Sequence, residues 1–323
     1  GPGVGRAADA VGRRPDNKKT RRMSKLEVTI GPVTHQNPVF IASGICGYGE
    51  EYSPLIDLER LGGVVTKTIT IRPRKGNVPP RVSELPYGML NSIGLENVGL
   101  DRYVAEKLPL LEKRGVDVIV SVAAETEEEF VRIAETFAPL SGYAGLELNL
   151  SCPNIEEKAL DHGRNPAFVE KITRIVKERI PAKALWVKIT PNVTDIGSVA
   201  RAAEAGGADA IAAINTVIGL DFDLETGKPV LGKGSGGYSG PGILPIALQK
   251  VWEVTRAVEI QVVGIGGISS VEDARKFFLA GASAIQVGTA LFADPDLPAK
   301  LIDALAEHPE WLHTRAKEPT VGK

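Results

Sequence analysis

Cys152 stands in the run Asn149-Leu150-Ser151-Cys152-Pro153-Asn154, a thiol among amides and a hydroxyl. A lone cysteine is more often a small buried hydrophobe than a catalyst. This one follows a strand-like segment and opens a long polar stretch. That setting suits a thiolate acting as base or nucleophile, with its pKa tuned by nearby cations. Cys46 has no such company and reads as packing. Of the four histidines, His35, His162, His308 and His313, only His162 falls near Cys152, so no Ser-His-Asp set is apparent.

Lys67 and Lys188 each lie at the end of a run otherwise suited to burial. A buried ammonium is costly unless an anion or a strong acceptor meets it. One solution is an ion pair with a carboxylate of a neighbouring strand, and Glu147 is available for that. Another is a flavin, because positive charge near its N1 and C2 carbonyl stabilises the reduced, anionic ring. Asn91, Asn149, Asn154 and Asn215 fall in separate polar segments. Their donors and acceptors match a planar ring of alternating N–H and C=O groups, such as a pyrimidine, although for any one of them alone a turn former is the better reading. Gly266-Gly267 and Gly288-Thr289 follow the last two strand-like runs. Glycines there let backbone N–H groups approach a phosphate, and tight turns explain them about as well. Gly264-Ile265-Gly266 lacks the third glycine of a Rossmann fingerprint.

These residues need a frame. Eight short runs recur: Val39 to Ile41, Val64 to Thr66, Val118 to Val120, Leu146 to Leu148, Leu185 to Val187, Ile211 to Ala213, Val262 to Gly264 and Ala284 to Val287. Between them lie segments of helical period. In Asp101 to Arg114, for example, Tyr103, Val104, Leu108 and Leu111 share a face. Thr126 with Glu129 and Ser270 with Asp273 read as capping boxes, and Asn165-Pro166 as an N-cap and first helical position. Gly206-Gly207 and Gly281 stand where helices should stop. Eight strand–helix units predict a single (β/α)8 TIM barrel, with an open doubly wound sheet as the rival. Leu26 to Ile30 begins an N-terminal β-hairpin. Two long connections, Ile71 to Val98 and Val217 to Pro241, follow strands and so fall on the barrel's C-terminal face, where barrel active sites lie. The second reads as a hairpin with arms Asp221 to Leu224 and Val230-Leu231 and a turn near Thr226-Gly227.

The composition is that of an ordinary soluble protein of 323 residues: charged residues are 24 %, hydrophobic ones 43 % and the net charge is -2. There is no bulk attraction for nucleic acid or an anionic membrane, and no apolar run long enough to span a bilayer. Two cysteines without metal-site spacing speak against zinc, iron–sulfur or a disulfide framework in this chain, and for a reducing cytoplasm. Residues 1–22 are basic and poor in large apolar groups; they read as a disordered leader or expression remnant. A targeting peptide is the weaker alternative for them. The barrel is placed in residues 23–323.

From Met23 to about Leu305 the sequence resembles the class 1 dihydroorotate dehydrogenases. The stretches that carry the resemblance are Ala42-Ser43-Gly44, Val65-Thr66-Lys67-Thr68, Asn91-Ser92-Ile93-Gly94-Leu95-Glu96-Asn97, Asn149 to Asn154, Val187 to Asn192, Ile214-Asn215-Thr216, Gly236 to Pro241 and Gly264 to Gly267. The resemblance implies FMN held by Ala42, Ser43, Lys67, Thr68, Ser121, Asn149, Lys188, Ile214, Gly240, Gly266, Gly267, Gly288 and Thr289. It implies dihydroorotate or orotate on Lys67, Asn91, Ser92, Ile93, Gly94, Leu95, Asn149, Asn154, Asn215 and Thr216. Cys152 matches the family's base, with Lys67 beside it as a catalytic group. The 1B subtype is the better match. It implies a homodimer core within a heterotetramer, whose partner subunit carries FAD and an iron–sulfur cluster and passes electrons to NAD. Ser121 stands where the family commonly has asparagine, and Ile155 to Arg164 lacks the glycine pair expected after the cysteine. Alternatives are a flavin barrel acting on another dihydropyrimidine, a 1A-type homodimer reducing fumarate, and a non-redox phosphate-binding barrel.

Overall fold

Residues buried on both faces of a parallel strand read as continuous apolar runs, and all eight predicted runs are strands. The structure, a computed structural model, describes residues 25–49, 51–150 and 163–317. In chain order the strands are β1 (Val39–Ile41), β2 (Gly63–Val65), β3 (Val118–Val122), β4 (Gly145–Asn149), β5 (Ala184–Ile189), β6 (Ala210–Ala213), β7 (Gln261–Ile265) and β8 (Ala284–Val287). Each pairs in parallel with its successor, and β8 returns to β1 through Ile285↔Val39 and Val287↔Ile41, closing the barrel.

Alternate residues point inward. At the N-terminal end Phe40, Val65, Ile119, Trp186 and Val263 pack together with Ala184, Ala210 and Ala284. The predicted hairpin exists, as Val28–Ile30 paired with Val33–His35, and Ile30 completes that plug. Gly31 turns the hairpin at φ +57, and a Cβ there would lie 2.4 Å from Asp209 Cγ. His35 is fully buried; its Nδ1 lies 2.8 Å from Asp117 Oδ2 and its ring stands edge-on to Phe40. The next layer toward the C-terminal end is smaller, with Ala42, Ala212 and Ile265 in contact.

Helices coat the outside. Thr126 accepts from the Glu129 N–H at the start of Glu127–Phe137, and Ser270 from the Asp273 N–H at the start of Val271–Leu279. Asn165 accepts from Ala167 and Phe168 ahead of Pro166–Arg179. Ile196–Ala205 ends on Gly206, and Gly281 turns at φ +105 after the helix ending at Leu279. The segment predicted as one helix from Asp101 to Arg114 is a composite: a turn of α-helix, a wider π-turn over Tyr103–Lys107, then α-helix Leu108–Glu112. Tyr103, Leu108 and Leu111 are buried as the period required.

The two long connections meet. Val82–Leu85 and Gly88–Asn91 from the first, with Val217–Gly219 and Gly236–Ser239 from the second, make one four-stranded antiparallel sheet. The second connection is a hairpin, but its ladder lies nearer the barrel than predicted, pairing Val217 with Tyr238 and Gly219 with Gly236. Farther out the arms meet at the Phe222↔Pro229 bridge, with the Asp223 N–H donating to the Lys228 carbonyl and the Val230 N–H to the Asp221 carbonyl. Glycines inside Gly236–Ser239 hid this strand from a reading based on β-branched runs.

Candidate active site

Parallel strands deliver their C-terminal ends to one mouth, and here that mouth holds a cavity of about 320 Å³. Strand β1 supplies Ala42, Ser43 and Gly44; β2 supplies Lys67 and Thr68; β4 and β5 supply Asn149 and Lys188. From β6 come Ile214, Asn215 and Thr216, from β7 Gly266 and Gly267, and from β8 Gly288 and Thr289. The antiparallel sheet walls one side with Val82, Met89, Asn91 and Ser239; Ile93, Leu95 and Gly240 continue that wall.

A chain of hydrogen bonds fixes the polar side chains. Asn215 Nδ2 donates to Asn149 Oδ1 at 3.3 Å, and Asn149 Nδ2 donates to Thr68 Oγ1 at 3.2 Å. Thr68 Oγ1 lies 2.8 Å from Ser121 Oγ and 3.3 Å from Ser43 Oγ, which donates to the Thr66 carbonyl. Thr289 Oγ1 donates to Ser239 Oγ at 2.8 Å, tying the mouth of β8 to the sheet. Lys188 is 7 % exposed, one residue before the end of its strand. Its Nζ lies 3.9 Å from Glu147 Oε1, so the carboxylate considered from the sequence is near, beyond hydrogen-bond distance.

Leu95 reaches the cavity from a left-handed backbone at φ +53, alone in this among the described non-glycine residues. Such a conformation costs about 1–2 kcal/mol for an L-residue and persists only where the surroundings hold it. Asn97 holds it: its Nδ2 donates to the Leu95 carbonyl and to Thr70 Oγ1, while its Oδ1 accepts from the Thr70 and Gly99 N–H groups.

Most predicted site residues therefore line one space. Three do not. Ser121 is fully buried and touches the cavity only through Thr68. Ser92 is 1 % exposed, with its hydroxyl accepting from Asn77 Nδ2. Gly94 turns the loop at φ +74, against Asn77. Cys152 and Asn154 lie outside the described residues, as does the segment after them to 162. Sequence reasoning missed the apolar lining of Val82, Met89, Ile243, Ile268 and Phe292. Single apolar residues in loops give no periodic signal.

Cys46 is buried as expected; burial first, and then the charge of Glu51, push its thiol up to about 12. Among the described residues no cluster of His, Cys, Asp and Glu could hold a metal, and no helix is long and apolar enough to cross a membrane.

The sequence model of the family described as "Dihydroorotate dehydrogenase" matches residues 25–308. The chain belongs to the dihydroorotate dehydrogenase family. Among its relatives is the "Dihydroorotate dehydrogenase B (NAD(+)), catalytic subunit" of Geobacillus kaustophilus, 45 % identical over 289 residues, or 87 % of this chain and 92 % of that one. Proteins of the same description from a Thermoanaerobacter species and from Solidesulfovibrio magneticus are each 46 % identical, over 88 % and 84 % of this chain and 93 % and 89 % of theirs. These relatives place the enzyme in the 1B subtype. A dihydroorotate dehydrogenase crystal structure from Eimeria tenella, in complex with ferulenol, superposes with TM-score 0.73 at 23 % identity, covering 92 % of this chain and 89 % of that one. That likeness confirms the enzyme's barrel fold.

Proposed function

We propose that the enzyme oxidises (S)-dihydroorotate to orotate in pyrimidine biosynthesis, with FMN and substrate bound together in this cavity and Cys152 as general base. The observation that carries the reading is the buried Lys188 converging with Lys67 and the amides of Asn91, Asn149 and Asn215 on one space. That donor set fits a flavin and a pyrimidine. Two of the glycines fit as well: a Cβ built on Gly44 meets nothing within 4 Å and one on Gly288 meets its nearest atom at 3.6 Å, so both leave room for a ligand, whereas Gly266 and Gly267 are packed against Ala247 and Leu244 and would offer only backbone groups.

FMN would be held by Ala42, Ser43, Lys67, Thr68, Lys188, Ile214 and Gly240, with its phosphate by Gly266, Gly267, Gly288 and Thr289. Ser121 would act through its bond to Thr68. The chemistry a flavin supplies when bound is acceptance of a hydride equivalent from C6 of the substrate. The protein's residues do the rest. Asn91, Asn149, Asn154, Asn215 and Thr216 pair with the N–H and C=O groups of the ring, and Lys67 offsets the substrate carboxylate. Ile93, Gly94 and Leu95 shape that side of the pocket, and Ser92 supports them from beneath. Cys152 takes the C5 proton onto its sulfur. It follows Asn149 by three residues, at most about 11 Å of extended chain from the cavity wall. Lys188 sets a cation where negative charge builds as the substrate is oxidised. Holding the reactants in register supplies much of the rate, and general base catalysis adds about 10²–10⁴-fold.

Electrons then leave through a partner subunit bearing FAD and an iron–sulfur cluster and reach NAD, around a homodimer core of this chain. The relatives' description as NAD(+)-linked catalytic subunits supports this, as does the scarcity of cysteine here. A cytoplasmic location follows from the same cysteine usage. The test is Cys152→Ala. It keeps bound FMN and loses nearly all turnover at neutral pH; retained turnover removes Cys152 from the mechanism. Copurification with the adjacent gene product tests the partner, and a self-sufficient chain reducing fumarate contradicts it.

A further inference from the structure

One buried acid has no part in that mechanism. Glu147, on β4, is fully buried in the barrel's interior, two residues below Asn149. Gln286, on β8 across the barrel, is equally buried and donates from Nε2 to Glu147 Oε2 at 2.8 Å. In the closed ring β4 and β8 stand opposite each other, so this bond spans the interior. The other oxygen, Oε1, has no hydrogen-bond donor among the described residues and faces the Lys188 ammonium at 3.9 Å. Lys188 lines the cavity and Glu147 does not.

A carboxylate taken fully out of water is expensive, and a single neutral amide compensates it poorly. Among the described residues its remaining compensation is Lys188. Conversely, an ammonium with a carboxylate behind it projects less net positive charge into the cavity than an ammonium alone. We propose that Glu147 is a positioning residue: anchored from the opposite wall by Gln286, it holds the Lys188 ammonium at the cavity floor and attenuates the positive field that a bound flavin experiences there. The flavin part rests on the reading of the cavity given above; the pairing part does not.

Two measurements separate them. The first uses the chain without flavin. Lys188→Met leaves the Glu147 charge uncompensated and lowers the thermal midpoint; adding Glu147→Gln restores most of the loss, because removing both charges of a buried pair is far milder than removing one. A double variant no more stable than Lys188→Met alone overturns the pairing. The second reads the midpoint potential of bound FMN in Glu147→Gln by spectroelectrochemistry. With the carboxylate neutralised, binding of reduced over oxidised flavin improves about tenfold, a positive shift of about 30 mV for a two-electron couple. An unchanged or more negative potential overturns the attenuation. If Glu147→Gln does not fold, Lys188→Met with Glu147→Gln still decides the pairing. Wild-type protein that takes up no FMN sinks the proposed function and leaves the thermal cycle standing.

Discussion

Gly44 allows the ligand space to be probed with an internal control. Its φ is +90, it lines the cavity, and a Cβ built on it meets no atom within 4 Å. Gly115, exposed beyond the helix ending at Glu112, is its match: φ is +69 and a Cβ there also meets nothing. Alanine at either position pays for the left-handed backbone alone, about 1–2 kcal/mol of stability. Gly44→Ala and Gly115→Ala should therefore melt at similar temperatures below wild type. They should part company on binding. The methyl at residue 44 intrudes where FMN is proposed to lie, and overpacking a fitted site costs about 1–3 kcal/mol. At about 1.4 kcal/mol per tenfold, that is roughly 5- to 150-fold weaker FMN binding for Gly44→Ala and none for Gly115→Ala. Titrating flavin-free protein with FMN and following the quench of flavin fluorescence reads the difference directly. Equal affinities in the two variants would refute the placement of the flavin against the end of β1.

Other expectations follow from single groups. Native alkylation near pH 8 should spare Cys46, whose buried thiol is raised to about 12, and peptide mapping should find the label on Cys152; equal labelling of both would contradict this. Burial raises the Asp273 carboxyl, but hydrogen bonds from Lys276, Ser269 and Ser270 outweigh it and hold the group below its ordinary 3.8. A depressed carboxylate contributes stability above its unfolded pKa and loses it as pH falls through the folded one. Asp273→Asn should thus be less stable than wild type at neutral pH, and the two melts should converge below about pH 3.8. Thr126→Ala removes the cap on the Glu129 N–H and should cost about 1 kcal/mol in urea denaturation with kcat untouched.

The strands and caps were legible because their signals are local. A barrel strand is covered on both faces, so Val118–Val122 or Ala184–Ile189 announces itself by composition, and Thr126, Asn165 and Ser270 reach donors two or three residues away. The polar half of the site was legible for a related reason. Strand ends are ordered by the barrel, so Lys67, Asn149, Lys188 and Asn215 had to converge once the strand count was right. What escaped depends on contacts distant in sequence. Nothing near Gly236 says that it pairs with Gly219, or that Gly237 lies beside Asn91. Nothing near Ser92 says that Asn77 will bury its hydroxyl and turn it from a lining group into a prop. The π-turn at Tyr103–Lys107 keeps the apolar period closely enough to pass for α-helix.

The wall made by the antiparallel sheet has a bearing on biosynthesis. Its two halves are joined by bonds such as Asn91 Nδ2 to the Gly237 carbonyl, bridging 146 positions. A nascent chain emerging from the ribosome would have finished six of its eight barrel strands before the second half of that wall existed. Ligand affinity should accordingly switch on late and abruptly during translation, leaving truncated products unable to sequester cofactor.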